Sequence, residues 1–117
     1  MIYILLMFCF LFSQELFGNN ILTIIGTTNV HGEIDPCGWK KKPLGGLARK
    51  ATILEQLNQE GINPLVLDAG DLLFKKNVLD PGVTLDVSKV NAEIIIDSFN
   101  EMGCDAFSPG SKDFAGG

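Results

Sequence analysis

Two hydrophobic patterns alternate along the chain after residue 20. Continuously apolar, β-branched runs at 21–25 and 64–67 are typical of buried parallel strands, and 106–108 is a third candidate strand. Between them, residues 47–57 and 90–102 carry apolar side chains at every third or fourth position, the spacing of a helix face. The order strand, helix, strand, helix, strand predicts an α/β fold with a parallel sheet.

Capping residues and glycines predict where each helix begins and ends. The first helix begins at Leu47 and ends before Gly61. The second follows a cap at Asp86 or Ser88 and ends at Gly103. The predicted apolar faces are Leu47, Ala51, Leu54 and Leu57 in the first helix, and Val90, Ile94, Ile95, Phe99 and Met102 in the second.

An uninterrupted apolar run, residues 2–12, lies at the N-terminus. As a helix it would rise about 16 Å, less than the roughly 30 Å of a bilayer core. The polar Ser13-Gln14-Glu15 that follows is typical of a secretory signal peptide, with cleavage after Ser13 or Gly18. We expect residues 1–18 to be removed and the protein to be secreted or periplasmic, without a stable membrane anchor. A buried or peripheral N-terminal helix is the alternative.

Composition limits the class of protein. The 117 residues include 46% hydrophobic and 20% charged residues, the proportions of an ordinary globular domain. A formal net charge of −5 argues against a nucleic-acid polymer as partner. Cys37 and Cys104 remain after the signal peptide and can form one disulfide. No helix follows the third strand to cover the sheet, so we expect residues 19–117 to be a domain truncated at its C-terminus.

Polar side chains follow all three predicted strands. Because ligands bind at the carboxyl ends of parallel strands, three loops should meet at one edge. Imidazole and oxygen ligands together suit Mn²⁺, Zn²⁺ or iron. We call the segment that follows each strand its exit. The polar residues at the three exits are Asn29 and His31, then Asp68 and Asp71, then Ser111, Lys112 and Asp113.

Asn29, His31 and Asp71 are the candidate metal ligands. If the first exit stays extended, Asn29 and His31 point to the same side. Asp71 can bridge two ions. The alternatives are a hydrogen-bonded structural histidine and an aspartate that serves as a turn or helix cap.

Five short motifs occur in a fixed order along the chain, and three of them include the residues at the strand exits. This order resembles the N-terminal part of secreted 5′-nucleotidases of the calcineurin-like metallophosphoesterase superfamily, over roughly residues 21–117. The resemblance implies a four-layered α/β/β/α sandwich with two metal ions at the sheet edge, and hydrolysis of nucleotide phosphate esters. The motifs are Thr-Asn-Val-His-Gly at 28–32, Gly-Gly-Leu-Ala-Arg at 45–49, Leu-Asp-Ala-Gly-Asp at 67–71, Met-Gly-Cys-Asp-Ala at 102–106 and Gly-Ser-Lys-Asp-Phe at 110–114.

The same resemblance implies roles for individual residues. His31 matches the family's histidine ligand and Asp71 its metal-bridging aspartate. Asn29 stands in place of an aspartate ligand, and Ser111 in place of a ligand asparagine. Lys112 replaces the histidine that stabilises charge or protonates the leaving group, and as a cation it can neutralise a phosphate oxygen.

These departures leave three functions open. The first is a metal-dependent phosphoester hydrolase acting on nucleotides, with Lys112 and Asp113 as catalytic candidates. The second is a thiosulfohydrolase of the same superfamily. The third is a non-catalytic binding protein with a degenerate metal site. Trp39 can stack on a base and Lys40-Lys41-Lys42 can attract anionic substrates. Residues 1–117 alone are expected to be inactive, because they hold half of the family's ligands.

Overall fold

Three short parallel strands form the sheet of this protein, which confirms a mixed α/β fold. The structure, a computed structural model, describes residues 21–38 and 44–117. The predicted signal peptide, Trp39 and the three lysines after it lie outside the described residues. The strands, in spatial order β1-β2-β3, are β1 Ile24–Thr27, β2 Leu65–Asp68 and β3 Ala106–Phe107. The helices are α1 Leu47–Gln59, α2 Val83–Glu101 and a short 3-10 helix, Ser111–Phe114.

The first strand differs from its prediction in its bounds and in its burial. Ile24 pairs with Leu65 and Thr27 with Asp68, so β1 ends two residues later than predicted. Ile21 and Leu22 precede the strand and are 82% and 69% exposed. The interpretation of this run as a buried strand was wrong because, within the described sheet, β1 is an edge strand that pairs with β2 alone.

Helix α1 begins and ends where the sequence predicts. Leu47 is its first residue, and it ends at Gln59, just before Gly61. Gly61 adopts φ +76°, the left-handed conformation that commonly closes a helix. Leu47 and Leu54 are buried, but Ala51 is exposed, so the buried face is narrower than predicted.

Helix α2 begins earlier than its predicted caps. Val83 is its first residue, after Gly82. Ser88 is not a cap, because its hydroxyl donates a hydrogen bond to the Thr84 carbonyl inside the helix at 2.8 Å. Asp86 lies in the first turn, where the helix dipole favours a negative charge.

The described hydrophobic core joins the two helices to the loop after β2. Its central cluster is Leu47, Leu72, Ile95 and Phe99, and Ile95 is fully buried. On α2 the buried positions are Ala92, Ile95 and Phe99. Val90 and Ile94 were wrongly assigned to the core: they are 54% and 43% exposed. At about 100° per residue, both lie on the opposite side of the helix from Ala92.

The described chain shows the state of Cys37 and Cys104 and the character of its helices. Cys37 and Cys104 are both free, so the disulfide that the sequence permits is not formed. Cys104 is partly buried and packs against the core cluster. Within residues 21–38 and 44–117, neither helix has the length and apolar character needed to cross a membrane.

Candidate functional site

Main-chain hydrogen bonds join the loop after β1 to the loop after β2. Three N–H groups of the first loop donate to three carbonyls of the second, at 2.9 to 3.0 Å. The pairing fixes the position of His31 relative to Asp71 through the backbone. The donor and acceptor pairs are Asn29 to Gly70, His31 to Asp71 and Gly32 to Leu72.

The carboxylate of Asp113 attaches the third loop to the second. Its two oxygens accept four main-chain N–H groups, from Gly110, Asp71, Leu72 and Leu73, at 2.7 to 2.8 Å. Hydrogen bonds to a charged acceptor are shorter and stronger than neutral ones. These contacts give Asp113 a clear role in holding the loops together, whereas its catalytic role stays a prediction.

Gly70 and Gly110 allow the second and third loops to touch. A Cβ built on Gly70 would lie 2.5 Å from the Gly110 nitrogen, and one on Gly110 would lie 2.7 Å from the Asp71 nitrogen. Real Cβ atoms do not approach backbone so closely. Two of the quoted motifs therefore need glycine at these positions because of close backbone packing.

His31, Asp71 and Lys112 form one side-chain cluster at the edge where the loops meet. The Lys112 ammonium lies 2.8 Å from His31 Nε2 and 3.3 Å from Asp71 Oδ2. The Lys112 main-chain N–H also donates to Asp71 Oδ1 at 3.1 Å. The three side chains are 22% to 30% exposed, so the cluster is reachable from solvent.

The contacts of Lys112 affect the charge of Asp71. An ammonium can only donate, so in the contact with the Lys112 ammonium His31 Nε2 is the acceptor. The main-chain N–H of Lys112 lowers the pKa of Asp71 below its usual value, and the hydrogen bond and charge of the Lys112 ammonium add smaller effects in the same direction. Asp71 is therefore a carboxylate at neutral pH.

The three candidate metal ligands share an unusual backbone conformation. Asn29, His31 and Asp71 have φ values of 56°, 57° and 52°, and in the described chain they are the only residues besides glycine with positive φ. The assumption of an extended exit for Asn29 and His31 was therefore wrong. Such conformations cost about 1–3 kcal/mol each and cluster at functional sites.

The arrangement does not fit a metal ion joining His31 and Asp71. The Lys112 ammonium lies against both atoms: it is hydrogen-bonded to His31 Nε2 at 2.8 Å and ion-paired with Asp71 Oδ2 at 3.3 Å. Asn29 is exposed, and within the described chain its side chain makes no hydrogen bond. Nor do residues 21–38 and 44–117 contain three or more His, Cys, Asp or Glu side chains grouped to hold a metal.

A second polar network was not foreseen from the sequence. Asp68 is 3% exposed; its Oδ2 accepts the Thr27 hydroxyl at 2.5 Å, and its Oδ1 accepts the Gly70 N–H at 2.8 Å. The Lys50 ammonium donates to Thr27 Oγ1 at 3.2 Å and lies 3.7 Å from the centre of the Phe99 ring. Burial lowers the pKa of Lys50. The available signal was an aspartate at the last position of a buried strand.

A groove of about 790 Å³ extends from His31 along β1. His31 and Asn29 line one part, Thr27 and Lys50 another, and the rings and branched side chains of Phe99 and Ile53 supply apolar walls. The volume lies within the range of small-molecule sites.

The chain matches no protein-family model and no curated protein.

Proposed function

We propose that this chain is part of an exported phosphoester hydrolase that acts on nucleotides, built on the α/β/β/α sandwich of the calcineurin-like metallophosphoesterases. The observation that carries the proposal is the meeting of His31, Asp71 and Lys112 from three successive strand exits. The described βαβαβ portion is compatible with that sandwich. Left-handed backbone at His31 and Asp71 adds support, because strain of this kind collects at functional sites.

In this proposal Lys112 contacts the phosphate group of the substrate. Its ammonium has three donors, of which two are directed at His31 and Asp71, and the third can reach a phosphate oxygen. Asp71 and His31 hold the ammonium in place. The adjoining groove takes the nucleoside, with Phe99 and Ile53 as apolar walls. Mn²⁺, Zn²⁺ or iron, the cofactors that imidazole and oxygen ligands suit, do not bind between His31 and Asp71 in this proposal.

Phosphate release from nucleoside monophosphates by the complete gene product tests the proposal. Lys112→Met should lower kcat/KM by about 10²-fold, because one preorganised donor to developing negative charge contributes that much. Lys89→Met, at an exposed position of α2, is the matched control and should leave kcat/KM unchanged. Absence of phosphate release, with and without added Mn²⁺, Zn²⁺ or Fe²⁺, would contradict the proposal.

A non-catalytic binding protein is the second candidate function. It is favoured by the Lys112 ammonium, which fills the place between His31 and Asp71. This candidate predicts that calorimetry detects nucleotide binding by the complete protein while no phosphate is released. Turnover of the bound nucleotide would exclude it.

A further inference from the structure

We propose that the Lys112 ammonium is the resident cation of this site, and that it replaces a divalent ion between His31 and Asp71. Imidazole nitrogen and carboxylate oxygen are atoms that coordinate transition metals. Here His31 Nε2 and Asp71 Oδ2 instead contact the Lys112 ammonium, at 2.8 and 3.3 Å. The inference concerns which cation the site holds, so it stands independently of whether the protein hydrolyses nucleotides.

The ammonium is fixed by the fold and not by its side chain alone. The Lys112 N–H donates to Asp71 Oδ1, so backbone and side chain of one residue engage both oxygens of one carboxylate. The next residue, Asp113, ties the same short helix to the loop after β2 through four main-chain N–H groups. These main-chain contacts hold the Lys112 backbone beside Asp71, and moving the ammonium away would break its contacts with His31 and Asp71.

The charges of the cluster are a second reason why a divalent ion does not bind between His31 and Asp71. The Asp71 carboxylate and the Lys112 ammonium form an ion pair, and an imidazole adds no negative charge, so the cluster supplies no excess negative charge. A divalent ion between His31 and Asp71 would lie against the ammonium at a distance where like charges repel strongly. A cation built into the chain therefore excludes a second cation at the same place.

The decisive experiment is anomalous diffraction from crystals of the complete protein grown with Mn²⁺. The anomalous difference map shows whether Mn²⁺ occupies the place between His31 and Asp71, regardless of ions bound elsewhere. We expect no anomalous peak between His31 Nε2 and Asp71 Oδ2 in the wild type. Lys112→Met removes the charge at similar length and should create a peak there. Lys112→His is a second variant that should bind Mn²⁺ too, and Lys89→Met is the control, which should behave as the wild type.

The outcomes separate clearly. A peak at this place in the wild type, with Lys112 displaced, would overturn the inference. So would the lack of a peak in folded Lys112→Met and Lys112→His, because the place would then not be a cation site. Phosphate release is not measured, so failure here is distinct from failure of the proposed hydrolase.

Discussion

At the scale of single residues, the polar side chains of this protein divide into those that hold the loops and those that face solvent. Asp113 and Asp68 hold loops, since their oxygens accept main-chain or hydroxyl donors. His31 and Lys112 are partly exposed and contact each other. From the sequence, Asp113 and Lys112 were both predicted to be catalytic residues. Their different contacts lead to different expected effects of substitution.

Asp113→Asn should destabilise the protein by about 3 kcal/mol. The asparagine NH₂ group is a hydrogen-bond donor, so it would face main-chain N–H groups that have then lost their acceptor. Each buried donor left unpaired costs about 1–3 kcal/mol. Chemical denaturation of the complete protein measures the change. Asp97→Asn, at an exposed position of α2, should change stability by less than about 0.5 kcal/mol. Equal effects of the two substitutions would refute the role given to Asp113.

Acid should weaken the contribution of Asp71. Its folded pKa is lowered, chiefly by the Lys112 N–H, so the unfolded chain takes up its proton first as the pH falls. The stabilisation is full above the unfolded pKa of about 3.9 and is lost as the pH falls through the folded pKa. The difference in unfolding free energy between wild type and Asp71→Asn should therefore shrink below about pH 4. A difference that stays constant from pH 6 to pH 2 would contradict this linkage.

At the scale of elements, the site depends on close packing between the loops that leave β2 and β3. Gly70 and Gly110 permit that packing, and the hydrogen bonds of Asp113 maintain it. The 3-10 helix carries Lys112 into the cluster. The geometry of the site is thus a property of two loops in contact.

Gly70→Ala should be much more harmful than Gly61→Ala. Both glycines have positive φ, +98° and +76°, so an alanine is strained at either position. Only at Gly70 would the new Cβ also meet backbone, 2.5 Å from the Gly110 nitrogen, whereas at Gly61 nothing lies within 4 Å. We expect a loss of about 1 kcal/mol for Gly61→Ala and at least about 3 kcal/mol for Gly70→Ala. Equal unfolding midpoints in urea would show that the loops do not pack in this way.

At the scale of the whole molecule, export and the remaining layers of the proposed sandwich stay predictions. The described sheet leaves β1 as an edge strand, and Ile24 of that strand is 54% exposed. An exposed apolar edge strand is a surface on which further chain can add.

The predicted signal peptide can be tested directly. Expressed with its own N-terminus in a secreting host, the exported protein should begin at Gln14 or Asn19, after cleavage behind Ser13 or Gly18. Mass spectrometry of the N-terminal peptide reads the cleavage site. A Glu15→Gln variant, which leaves the apolar run unchanged, should be exported equally well. If the mature protein still contains residues 2–12, the alternative of an N-terminal helix is favoured.

The sequence by itself determined the order of elements and the approximate bounds of α1 and β2, because local hydrophobic spacing and glycine stops act over a few residues. It also nominated His31, Asp71 and Lys112. It misjudged the start of α2 and its buried face, since Val90 and Ile94 are as apolar as the residues that pack inside.

Only the tertiary structure decided how the nominated residues combine. Positive φ at Asn29 and His31 turns the first loop away from the extended path that the residue spacing suggested. The ammonium of Lys112 lies between His31 and Asp71 because loops far apart in sequence are joined by main-chain hydrogen bonds. Residue types indicate which chemistry is available, but the cation that a site holds depends on distances set by long-range packing.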